Sequence, residues 1–202
     1  MAITTYSELK AAIADWSHRD DLNALLDTFI DLVEAEFWNK LRIRDMEGRS
    51  TATTSGRYLA LPTDFIELRR LRLISGANNY DLQARTPFAL DIDESSGIPG
   101  SFAITSQIEF DKTPSSTFTV EMQYWKKLNA LSSDNTSNSI LTKYPQLYLY
   151  GSLYHMYTYT EQLEQAAIHK GLFETMMQEI NSQYKKASMG AAPSARVRRY
   201  TP

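Results

Sequence analysis

A chain of 202 residues, 43% of them hydrophobic, suits one compact domain or one domain with an elaborated insertion, and is too apolar for global disorder. A net charge of −3 supplies no overall attraction to DNA or anionic membrane, and the absence of cysteine excludes disulfides, thiolate catalysis and cysteine-based zinc sites. No apolar run approaches the roughly 18 residues that cross a bilayer, and the opening MAITTYSELK, with an acid and no apolar stretch, reads against a secretory signal.

Thr5 and Glu8 have the spacing of a capping box, so a first helix is predicted over about 5–17, with Leu9, Ala12, Ile13 and Trp16 at helical spacing. Asp20 or Asp21 is expected to cap a longer second helix. Leu22, Leu25, Leu26, Phe29, Val33, Phe37 and Leu41 trace its apolar face, and Asp27, Asp31 and Glu34 line the opposite side. Past Arg44 the composition turns to strand. Arg49 to Thr54 is Thr-rich, Ser55-Gly56 signals a turn, and Arg57 to Leu61 reads as the partner strand. Ile66 to Ile74 is a further strand in which the Arg69-Arg70 pair breaks alternation, as a bulge would, and Tyr80 to Leu82 reads as a short return strand.

Thr86-Pro87 is expected to open a short helix through Ile92, followed by a Gly/Pro loop from Ser95 to Gly100. Phe102, Ile104, Ile108 and Phe110 alternate around a tight turn near Ser106, the pattern of a hairpin. Phe118, Val120, Met122 and Tyr124 alternate with polar residues as a strand with one buried face. A polar loop over 131–139 leads to a tyrosine-rich helix over about 144–159, and a last helix runs from Glu161 to near Lys186. Residues 187–202 read as an extended basic tail. The expectation is an α+β fold: two N-terminal and two C-terminal helices (5–44 and 144–186) bundled in a single domain of 1–186, with an antiparallel β-region inserted at 49–125.

The usual signs of chemistry are missing. His18, His155 and His169 fit no metal-binding spacing, and there is no nucleophile elbow, P-loop or dinucleotide fingerprint. Asp91, Asp93 and Glu94 lack the spacing of an EF-hand, and Asp27, Asp31 and Glu34 lack the facing Glu-x-x-His helices of a di-metal bundle. No catalytic, cofactor or metal residue is assigned.

Charge and aromatic distribution point to contacts instead. Residues 1–38 carry eight acids and two bases, and residues 40–72 carry eight bases and four acids. Such asymmetry marks partner contacts or ordinary solvated surface. Six of the twelve tyrosines fall in 144–159, Tyr148 and Tyr154 among them, and cover more than one helix face. That pattern suits a central core helix or an interface. Arg196, Arg198, Arg199 and Tyr200 give the tail anchors favoured in protein interfaces; the alternatives are a solubilising end and direct nucleic-acid contact.

Taken in order, TYSELKAAIADWSHRDDL, FIDLVEAEFWNKLRIRDME, GRYLALPTDFIELRRLRL, FAITSQIEF, TVEMQYWKKLNALSSDN and KYPQLYLYGSLYHM resemble the head-to-tail adaptor, or connector, proteins of tailed bacteriophages. The order and spacing carry the likeness rather than any one motif. The resemblance implies a non-enzymatic virion protein of the neck, present in the host cytoplasm during assembly. It implies a ring of subunits, usually twelve, under the portal protein, extending the channel through which packaged DNA passes without sequence-specific binding, and offering a platform to tail or nozzle proteins. It implies neither cofactor nor membrane. By position, Arg196, Arg198, Arg199 and Tyr200 fall in the segment that docks on the portal. Within the ring, acidic Asp27, Asp31 and Glu34 are expected to meet Arg57, Arg69, Arg70 and Arg72 of a neighbour, with Tyr148 and Tyr154 as aromatic interface candidates. The alternatives are another neck or tail-terminator protein and, less favoured, a hydrolase.

Overall fold

The computed structural model describes residues 3–76 and 78–188. It divides into a helical unit, built from the chain up to Asp45 and from Asn129 onward, and a β unit over Met46–Leu128. Helices and antiparallel strands are thus segregated, an α+β fold.

In the helical unit, α1 (Tyr6–Ser17) begins at a complete capping box. The Thr5 side chain accepts from the Glu8 N–H and the Glu8 carboxylate accepts from the Thr5 N–H. It ends at His18 in the left-handed conformation. The second helix, α2 (Leu26–Lys40), starts later than its acids suggest. Asp21 is engaged by Arg19, residues 23–25 form a single 3-10 turn, and no side chain caps the helix. Leu26, Phe29, Ile30, Val33 and Phe37 form its buried stripe.

After the β unit come α3 (Ser139–Lys143), a short helix capped by Asn138 that falls between the expected loop and the tyrosine helix, then α4 (Pro145–Tyr159) and α5 (Leu163–Ser188). The apolar character all around α4 has a simple cause: it packs against α1, α2, α3 and α5. Close approach needs Gly151, where an added Cβ would lie 2.8 Å from Val33 Cγ2 and 2.9 Å from Phe173 Cε2.

The β unit has two four-stranded sheets packed face to face and one two-stranded sheet. One contains β1 (Glu47–Thr54), β10 (Phe118–Lys126), β3 (Phe65–Ser75) and β4 (Asn78–Asp81), in that order. The other runs β2 (Tyr58–Ala60), β8 (Gln107–Phe110), β7 (Ser101–Ile104), β5 (Gln83–Ala84). Leu71, Val120, Met122 and Tyr124 of the first pack with Leu59, Phe102, Ile108 and Phe110 of the second. The hairpin at Ile104–Ile108 forms as expected. So does the bulge: Arg70 pairs with Gln123 and Leu68 with Tyr124, leaving Arg69 as the extra residue.

Three local expectations fail. The strand 58–60 pairs with β8 rather than across the Ser55-Gly56 turn, and the partner of β1 is β10, far along the chain. The helix expected over 86–92 is one 3-10 turn, Pro87–Ala89. Part of the expected Gly/Pro loop is strand β6 (Asp93–Gly97), which pairs in parallel with β9 (Lys112–Pro114). Short edge strands of polar residues lack the alternating pattern that identifies a strand locally.

Candidate interaction surfaces

The residues expected to form one acidic face on α2 have three different fates. Glu34 is 3% exposed and belongs to the interior. Its Oε1 accepts from the Leu131 N–H at 2.9 Å and from the Tyr148 hydroxyl at 2.8 Å, and Asn138 Nδ2 donates to that hydroxyl at 2.7 Å. Burial raises the Glu34 carboxyl above its ordinary value against the opposing pull of these donors. Burial, then the neighbouring Glu34, push the Tyr148 hydroxyl far above the phenol range. Asp27 is satisfied within the unit, by Lys10 Nζ at 2.6 Å and the Tyr6 hydroxyl at 2.7 Å, and these donors hold its carboxyl below the usual range. Asp31 alone of the three remains on the exposed surface without an ion pair among the described residues.

The tyrosine helix resolves residue by residue. Tyr148 is fully buried and its ring meets Phe37 edge-on at 4.9 Å. Tyr154 is half-buried, stacked near His155 and under Lys170, while Tyr159 is exposed. His155 Nε2 lies 3.2 Å from Glu36 and His169 stacks on Tyr157 at 5.3 Å. Burial lowers both imidazoles, favouring the neutral form. Among the described residues no group of three or more His, Asp or Glu could hold a metal ion. Nor is any described helix long and apolar enough to cross a membrane.

In the β unit Arg70 and Arg72 lie on the outer face of the first sheet. The register aligns Thr51, Glu121, Arg72 and Asp81 across four strands. Arg70 grips both Asp81 oxygens, at 3.0 and 2.6 Å, and Arg72 Nε donates to Asp81 at 3.2 Å. These donors lower the Asp81 carboxyl. Arg69, displaced by the bulge, pairs with Glu47 and covers the Trp125 ring at 5.0 Å. Arg57 donates to the Asp93 carbonyl at 3.1 Å and faces Glu94 at 3.6 Å. All four arginines therefore have acidic neighbours in their own chain. Solvent screens exposed pairs of this kind, so each adds little to stability.

Two apolar features carry no such internal satisfaction, and sequence periodicity pointed to neither. An open groove of about 780 Å³ lies between α1 and α4, with Ala12, Trp16, Pro145, Leu149 and Tyr150 as its apolar wall and Asp15 at its edge. Trp16, on the expected apolar face of α1, is 52% exposed and meets Tyr150 edge-on at 6.2 Å. In the β unit, Phe88 protrudes fully, at 103% relative exposure. An aromatic directly after proline in a polar segment was the available sequence signal. Arg196, Arg198, Arg199 and Tyr200 lie outside the described residues.

The family model described as SU10 adaptor protein matches residues 4–199. No curated protein matches the chain.

Proposed function

The chain belongs to the SU10 adaptor protein family, whose members are structural phage adaptors, and from that premise we propose that it forms a ring beneath the portal protein at the head–tail interface. The ring, with twelve subunits, extends the channel for packaged DNA and presents a platform to tail or nozzle proteins. The observation that carries this reading is the near-complete span of the family match, 4–199, which takes in the helical unit, the β unit and the basic C-terminal segment alike. Arg196, Arg198, Arg199 and Tyr200 are assigned to portal docking, where a planar guanidinium and a phenol ring suit an interface anchor.

Ring contacts draw on charge for orientation. The α2 side, through Asp27 and Asp31, is set toward the arginine-bearing strands of a neighbour, Arg57, Arg69, Arg70 and Arg72, with Tyr154 at the same contact. Because those arginines already face carboxylates, such contacts supply steering and register more than affinity. Glu34 and Tyr148 support the ring only indirectly, by fixing α2 to α4 within the subunit.

Electron microscopy of the protein mixed with its portal tests the reading. A closed ring stacked on the portal is expected. Monomers that stay apart from the portal at every concentration would sink it.

A further inference from the structure

We propose that Phe88 of one subunit seats in the groove between α1 and α4 of the next subunit, with Arg85 of the first set against Asp15 of the second. This contact rests on the ring reading above and names what would hold the ring together.

Phe88 is not a loose end. Its turn is closed by the Ala89 N–H donating to the Thr86 carbonyl at 2.9 Å, and the segment is tied back by the Arg85 N–H on the Phe102 carbonyl at 2.8 Å. A fully exposed phenylalanine on a fixed turn is a preformed knob, and exposed aromatics of this kind mark interaction sites. The groove is its counterpart: apolar walls from Ala12, Trp16, Pro145 and Leu149, a volume of about 780 Å³, and the half-exposed Trp16 ring beside it.

Charge selects the same pairing. Asp15, at the groove, has no ion pair among the described residues. The Arg85 guanidinium, three residues before Phe88, donates to the Gln83 side-chain oxygen at 3.1 Å and has no ion pair among the described residues. The knob thus carries a spare cation and the groove a spare anion, unlike Arg57, Arg70 and Arg72, which are matched at home. Knob and groove are different patches present on every copy. Their contact is heterologous, so it propagates from subunit to subunit and closes where the rotation divides a full turn.

The chain has no cysteine, which makes the test clean. Full-length Asp15→Cys and Arg85→Cys proteins are mixed and treated with a short bis-maleimide cross-linker, because an Arg–Asp pair holds its Cα atoms farther apart than the roughly 7 Å that a disulfide spans. The expected product is a covalent dimer containing one of each, formed by neither variant alone. The double variant gives a ladder extending beyond the dimer. Adding Phe88→Ala to the double variant raises the concentration needed for the ladder roughly 30-fold or more. Its thermal unfolding stays unchanged, because the side chain is solvent-exposed. Rings seen by electron microscopy without the mixed cross-link overturn this contact while leaving the ring intact. A ladder indifferent to Phe88→Ala, or Asp15→Cys linking to itself, also overturns it. No ring and no ladder, with or without portal, removes both the contact and the ring reading.

Discussion

The Tyr148 hydroxyl donates to Glu34 Oε1 at 2.8 Å, joining α4 to α2 inside the helical unit. The same oxygen receives the Leu131 N–H, so one carboxylate group holds two helices and the segment that precedes α3. A buried acceptor with two donors is stable only while both remain. This pairing is what converts a surface-looking acid and an interface-looking tyrosine into core residues.

Tyr148→Phe keeps the ring against Phe37 but removes the donor to Glu34 and the acceptor for Asn138 Nδ2. Unfolding in urea should show a loss of about 1–3 kcal/mol, the cost of leaving buried polar groups unpaired. An unchanged midpoint would mean that water replaces the hydroxyl.

The pH dependence follows from Glu34. Burial makes its carboxyl bind a proton more tightly in the folded chain than in the unfolded one, where the value is 4.5. The protonated form is therefore favoured by folding. That contribution is complete below pH 4.5 and is lost as pH rises through the higher folded-state value. Compared with Glu34→Gln, the natural chain should lose stability as pH climbs above 4.5. A difference that stays flat with pH would contradict the assignment.

Gly151 and Gly171 predict opposite outcomes for the same substitution. Gly151→Ala gains helix propensity of about 1 kcal/mol but forces Cβ onto Val33 and Phe173, an overpacking cost of about 1–3 kcal/mol. Val33 is β-branched and stiff, so it cannot move aside. Net destabilisation is expected, with a non-additive rescue in the Gly151→Ala, Val33→Ala pair. Gly171 on α5 has open space around its Cβ position, so Gly171→Ala should stabilise by roughly 0.5–1 kcal/mol. Calorimetry on these three variants and on Val33→Ala alone decides both.

Thr5→Ala removes the side-chain half of the α1 cap. A loss of about 0.5–2 kcal/mol is expected in denaturant titration. Thr5→Ser should retain most of the stability, since its hydroxyl accepts the same N–H.

Much of this protein was settled by its sequence alone. The capping box, the apolar stripe of α2, the bulge at Arg69, the 104–108 hairpin and the alternation of β10 are local patterns. Their physics acts within a few residues, where periodicity and capping chemistry are visible. The central position of α4 could be read from its lack of a polar face, although not whether its tyrosines were core or contact.

Tertiary structure decided what depends on partners distant in the chain. Glu34 is interior because Tyr148, 114 residues away, and Leu131, 97 away, satisfy it; spacing on α2 alone placed it with the exposed acids. Arg70 and Arg72 find Asp81 because β3 and β4 pair in that register. Phe88 and Trp16 are exposed because no element among the described residues covers them, and hydrophobicity gives no sign of that in advance. A side chain's local preference is a property of its own neighbourhood, whereas its burial and its charge partner are set only when the elements pack.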